Sequence, residues 1–245
     1  MTNKYIYFIA NWKMFGGLNS LNSINKVVKF LNNFKKKRFT KIIYCPPNTL
    51  INQMSINLSK SQIEVGAQNC HENYGYGAYT GSINSLMLKN AGAKYVIIGH
   101  SEIRNIGETN KKINLKIKSA LKTGLKVIFC IGETLQEKRK KITKAVLNKQ
   151  IKLGLAKIHD KKNIIIAYEP VWSIGSGLIP NQKELFTTID FIKKKLKNYK
   201  VIYGGSVNPK NISQLKSINN LDGFLVGGAS QDSKKFIDII KKTYN

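Results

Sequence analysis

Cysteine is scarce in this 245-residue chain, and what is present does not pair. Cys45, Cys70 and Cys130 are odd in number, and no Cys-x-x-Cys occurs. This argues against a disulfide framework or a zinc site and fits a reducing compartment. Each thiol reads as a small buried hydrophobe. Long apolar runs are missing as well: none approaches the roughly 20 residues of a membrane span. The N-terminal run Tyr5-Ile6-Tyr7-Phe8-Ile9-Ala10 is too short for a signal-peptide core and has no cleavage site behind it. The chain is therefore expected to be soluble and cytoplasmic, without a membrane partner. Acidic residues are few, 13 against 41 lysines and arginines, which leaves a net charge of +28. Such a charge can serve nucleic acid, a membrane surface or an anionic substrate. Arginine is rare too, limited to Arg38, Arg104 and Arg139, and the lysines spread through helical stretches instead of gathering in one patch. With Asn and Ile also abundant, a biased genome composition accounts for the charge better than a nucleic-acid partner does.

What is there is alternation. Apolar runs that read as strands fall at Ile6–Asn11, Ile42–Cys45, Ile63–Ala67, Tyr95–Gly99, Val127–Ile131, Ile164–Tyr168, Val201–Tyr203 and Gly223–Val226. Between them lie helical patterns at Leu21–Phe34, Thr49–Leu58, Ile83–Asn90, Lys111–Thr123, Thr134–Ile158, Lys183–Asn198, Pro209–Ser217 and Lys234–Lys241. Eight pairs in 245 residues is about 31 residues each, the size of a βα unit. The strands are continuously apolar, as parallel strands covered by helices should be. No linker or low-complexity block divides the chain. The expected fold is α/β, a single (β/α)8 barrel over residues 1–245, with a doubly wound open sheet as the alternative.

A barrel carries its chemistry at the C-terminal ends of its strands. Those ends read Asn11-Trp12-Lys13, Gly99-His100-Ser101-Glu102, Cys130-Ile131-Gly132-Glu133, Tyr168-Glu169, Gly204-Gly205-Ser206 and Gly227-Gly228-Ala229-Ser230. Glu169 is held between a β-branched strand and Pro170, which cannot continue a ladder. Behind it, Trp172 and the glycines Gly175 and Gly177 make a segment built like a hinged lid. The two glycine turns after strands seven and eight suit a phosphate, and neither has the spacing of a dinucleotide or triphosphate loop. His100 opens a helix, where the dipole opposes added positive charge; His71 and His159 are expected to be solvated. A carboxylate, a neutral imidazole and Lys13 around a phosphate cradle suit proton abstraction beside a carbonyl. No metal-ligand cluster is visible. Another phosphate-binding barrel enzyme, an aldolase or synthase, would need a Schiff-base lysine or metal ligands inside the barrel.

These motifs, together with Gly66-Ala67-Gln68-Asn69 and Gly77-Ala78-Tyr79-Thr80-Gly81, stand in an order and spacing that resembles the triosephosphate isomerase family over essentially the whole chain. The resemblance implies a cofactor-free glycolytic and gluconeogenic isomerase acting on dihydroxyacetone phosphate and glyceraldehyde 3-phosphate. It implies Glu169 as base, His100 as electrophile, Lys13 and Asn11 on the substrate oxygens, and Glu102 as a carboxylate orienting Lys13 or His100. Gly175, Ser206, Gly227 and Gly228 would hold the phosphate under the lid Pro170–Gly177. A protruding loop, Gln68–Thr80, would dock into a partner copy, with Thr80 near the other subunit's Lys13, making a homodimer. Three positions depart from the usual pattern: Ile103 for an arginine, Ser82 for a glutamate and Leu178 for a lysine. None is a proton-transfer group, so they bear on the dimer and the lid.

Overall fold

Among the described residues, eight parallel strands pair in chain order and close on themselves. They are β1 (Ile6–Asn11), β2 (Thr40–Cys45), β3 (Glu64–Ala67), β4 (Tyr95–Ile98), β5 (Lys126–Ile131), β6 (Ile164–Tyr168), β7 (Lys200–Tyr203) and β8 (Gly223–Val226). The computed structural model describes residues 5–245. The ring is completed by β1 lying against β8, with Phe8 level with Phe224 and Ala10 with Val226. This closure decides for the barrel over the open sheet, and the helices between strands make it a TIM barrel.

Alternate residues along each strand face opposite ways. One set fills the lumen: Ile9, Ile43, Cys45, Tyr95, Ile97, Ile128, Cys130, Ile165, Ala167, Ile202 and Leu225. The other set, such as Phe8, Tyr44, Phe129, Ile166 and Tyr203, packs outward against Val27, Met54, Ile117, Leu147, Ile189 and Phe236 of the helices. Both faces of every strand are thus buried, which explains the unbroken apolar runs. Each fully buried Ile or Leu contributes about 1.5–3 kcal/mol relative to exposure.

The helices are α1 (Leu21–Asn33), α2 (Ile51–Asn57), α3 (Ser85–Asn90), α4 (Ser101–Asn105), α5 (Asn110–Lys122), α6 (Leu135–Arg139), α7 (Thr143–Gly154), α8 (Gln182–Lys195), α9 (Ile212–Lys216) and α10 (Ser233–Tyr244). The long helix expected over Thr134–Ile158 is in fact two. A Schellman turn ends α6: Lys141 takes φ +57° and donates to the Lys138 carbonyl, and Ile142 N–H reaches back to the Glu137 carbonyl. A lysine occupies the left-handed position where glycine is usual, so no sequence signal marked the break. The region Pro209–Ser217 contains only the short α9, and α4 adds a turn of helix directly after β4.

All three cysteines are buried and free. Burial pushes the Cys70 thiol up to about 12 and raises Cys45 and Cys130 as well, the last also through the charge of Glu169. Thiolate is the reactive form, so little of it exists at mild pH. A disulfide reagent at about pH 8 should find no rapidly reacting thiol in the native protein and all three after unfolding in denaturant; a fast native reaction would contradict the buried placement.

Candidate active site

The alternation of β6 that turns Ile165 and Ala167 into the lumen turns Glu169 inward too, one step beyond the strand end. Asn11 continues Ile9 in the same way on β1. His100 breaks this parity. Gly99 takes φ +76°, a conformation side chains resist, and the reversal swings His100 over the lumen as the N-cap of α4. Arg104 secures the turn by donating to the Gly99 carbonyl at 2.7 Å and the Cys130 carbonyl at 3.1 Å.

His100 Nε2 stands 3.7 Å from Glu169 Oε1, and both side chains are about 95% buried, at 5% and 4% exposure. His100 Nδ1 accepts the Glu102 N–H at 3.3 Å. With Nδ1 in the accepting role, Nε2 is the ring nitrogen left to donate, and it faces Glu169. Glu169 Oε2 is buried without a hydrogen-bond partner. A buried carboxylate oxygen left unpaired is uncommon and costly, and here it is available to a ligand. Glu169 needs a glycine at 204, since a Cβ there would lie 2.6 Å from Glu169 Cγ.

Lys13 takes φ +56°, outside the usual range for its type. Its N–H donates to Asn11 Oδ1 at 3.1 Å, and its carbonyl accepts from Gln68 Nε2 at 2.8 Å. Its ammonium lies 2.6 Å from Glu102 Oε1. The other oxygen of Glu102 is 3.6 Å from His100 Nδ1, which already has a donor. Glu102 is half exposed and is not part of the pocket lining.

Asn11, Lys13, His100 and Glu169 line one cleft of about 370 Å³. Gly175, Ser206, Gly227 and Gly228 line its other side. Every other expected site residue thus meets in a single cavity. The segment after Glu169 borders it through Ile174, Gly175 and Gly177: Gly177 N–H donates to Ser206 Oγ at 3.2 Å, and Ser206 Oγ in turn donates to the Ser173 carbonyl. His159 is exposed, whereas His71 is partly buried against the Tyr79 ring, 4.5 Å between centroids.

Sequence reasoning gave Glu133 no role, yet it anchors the segment that follows Glu169. Trp172 Nε1 donates to Glu133 Oε1 at 2.9 Å, Tyr168 Oη to the same carboxylate, and Val171 N–H to the Glu133 carbonyl. Burial raises the Glu133 carboxyl above the ordinary range. Its signal was a lone acid two residues beyond an apolar strand. A larger groove of about 580 Å³, between α6 and α8, contains Glu133 and Trp172 on its wall but neither His100 nor Glu169.

The profile of the triosephosphate isomerase family matches residues 6–243. The chain belongs to the triosephosphate isomerase family. It is 39% identical to the triosephosphate isomerase of Thermodesulfovibrio yellowstonii, over 98% of this chain and all of that one. With the enzyme of Dictyoglomus thermophilum it shares 41% identity over 95% of this chain and 97% of the other. The crystal structure of the triosephosphate isomerase from Bartonella henselae superposes with a TM-score of 0.89 at 33% identity, covering 98% of this chain and 99% of that one.

Proposed function

We propose that this member of the family interconverts dihydroxyacetone phosphate and D-glyceraldehyde 3-phosphate with Glu169 as the base and His100 as the electrophile. Family membership supplies the reaction, an intramolecular aldose–ketose oxidoreduction of glycolysis. The residue roles rest above all on one observation: an unpaired, buried Glu169 oxygen beside an imidazole whose Nε2 is turned towards the same carboxylate.

In this reading Glu169 takes the proton from C1 of dihydroxyacetone phosphate. The electron pair of that C–H bond moves into the C1–C2 bond, and the carbonyl oxygen becomes an enediolate oxygen. His100 Nε2–H hydrogen-bonds this oxygen as its charge develops, then relays protons between O1 and O2. Glu169 returns its proton to C2, giving the aldehyde. Lys13 offsets the negative charge, Asn11 hydrogen-bonds the substrate oxygens, and Glu102 holds Lys13 in place. Backbone groups at Gly175, Ser206, Gly227 and Gly228 bind the phosphate dianion. The lid Pro170–Gly177 excludes water and so suppresses loss of phosphate from the enediolate. The purified protein should convert glyceraldehyde 3-phosphate in a coupled assay for dihydroxyacetone phosphate. In deuterium oxide, the product should carry solvent deuterium on the carbon that Glu169 reprotonates; product free of deuterium at every stage of reaction would argue against a base in contact with solvent.

The whole chain, residues 1–245, is taken as one domain working as a cytoplasmic homodimer. Support comes from the loop Gln68–Thr80, where Tyr74, Tyr76 and Tyr79 are exposed, and from the neighbouring Met14 and Phe15, exposed as well. Large apolar side chains gathered in this way mark an interaction surface. Thr80 would then reach Lys13 of the second subunit. Among the described residues no helix is long and apolar enough to cross a membrane. The lysines are distributed over many helices, so a triose phosphate, and not nucleic acid, is the ligand of this reading. Replacing residues 73–79 by a short glycine turn, with Gln68 kept for Lys13, should convert dimers to monomers in sedimentation; a dimer that persists would remove the loop from the interface.

A further inference from the structure

We propose that Gln150, on α7, is a positioning residue for Glu169, an inference that rests on the reading of Glu169 as the base. The side-chain amide of Gln150 grips both backbone groups of Gly132. Its Nε2 donates to the Gly132 carbonyl at 2.9 Å, and its Oε1 accepts the Gly132 N–H at 2.9 Å. A primary amide can make this double contact because it carries a donor and an acceptor side by side. It acts on Gly132 as a neighbouring strand would, at the point where β5 ends.

Gly132 is where such a grip matters. Its backbone passes so close under the end of β6 that a Cβ there would lie 1.8 Å from the Glu169 carbonyl oxygen and 2.6 Å from the carbonyl carbon. One residue earlier, the Ile131 carbonyl accepts the Glu169 N–H at 2.8 Å. One residue later, Glu133 anchors Trp172 and Val171. The peptide held by Gln150 therefore abuts the backbone of the base on one side and the lid anchor on the other. With packing this tight, a shift of Gly132 is transmitted to Glu169 and Pro170. Gln150 is 19 residues earlier in the chain than Glu169 and does not line the cleft, so its effect runs through the backbone alone.

Two variants test this by steady-state kinetics in both reaction directions. Gln150→Ala removes the grip; kcat is expected to fall by about 10–100-fold with KM within about twofold of the parent, since a misplacement near 1 Å costs on that order. Gln150→Glu is nearly isosteric. Its carboxylate still accepts the Gly132 N–H but sets lone pairs against the Gly132 carbonyl, and protonation restores the donor. The ratio of its kcat to that of the parent should therefore rise as pH is lowered from about 8 to about 6. A merely structural glutamine would lower melting temperature without that pH signature. The proposal is overturned if both folded variants keep kcat within about twofold of the parent, if the loss lies in KM, or if the Gln150→Glu ratio is flat with pH. Should Gln150→Ala not fold, the Gln150→Glu profile decides alone. Glu169→Asp separates the two readings. If it is inactive while Gln150 variants are normal, only the role of Gln150 is lost.

Discussion

Glu169→Asp is expected to lower kcat by at least about a hundredfold, with KM changed far less. The substitution withdraws the carboxylate by roughly one C–C bond while the backbone that carries it stays fixed. Pro170 restrains the following torsion, Gly132 lies against the Glu169 carbonyl, and Gly204 lies against its side chain. The shorter carboxylate therefore has no backbone movement available to regain its reach. Asp retains the charge and most of the burial, so substrate affinity, which depends on the phosphate turns and Lys13, is largely spared. Steady-state rates in both directions measure the effect. An unchanged kcat would take Glu169 out of the proton transfer. A KM effect of the same size would instead assign it to binding.

The second large effect concerns stability. Lys116→Ala is expected to destabilise the fold by about 3–5 kcal/mol, the range for breaking a buried ion pair from one side. Lys116 on α5 is 6% exposed and Glu108 3% exposed, and the two are in direct contact. The Lys116 ammonium also donates to Asn69 Oδ1 at 2.9 Å, tying α5 to the base of the 68–80 loop. One Glu108 oxygen already lacks a hydrogen-bond partner, so removing the ammonium leaves a buried carboxylate with little to compensate it. Urea unfolding of Lys116→Ala and of Lys116→Met/Glu108→Leu distinguishes the causes. The double variant, which removes both charges and keeps apolar volume, should recover much of the loss. If it is as unstable as the single variant, packing and not the orphaned charge is responsible.

These two sites differ in how far they could be read in advance. Glu169 stood out because Ile164–Tyr168 is an apolar strand and proline follows the acid at once. His100, Lys13 and Asn11 were singled out by the same logic, as polar residues at the ends of apolar runs. Glu108, Lys116 and Gln150 had no such mark. They sit among many lysines and polar residues, and nothing local distinguishes a side chain that pairs with one dozens of positions away, such as Asn69 with Lys116, from one in water. The division of Thr134–Ile158 was equally hidden, because a lysine took the left-handed turn position that glycine usually marks.

By itself the sequence determined the repeat: eight apolar runs, eight helical patterns, and the candidate polar groups at the C-terminal ends of the runs. Local chemistry suffices for that, since strand burial on both faces and turn residues at strand ends are written position by position. Tertiary structure decided which of two alternating faces looks into the lumen, because continuous apolar runs carry no parity. Closure of β1 on β8 resolved it, sending Ala167 and hence Glu169 inward, and the positive φ at Gly99 brought His100 across from β4 to within 3.7 Å. The distance between those two groups is a property of the closed ring, in which strand ends far apart along the chain share one opening.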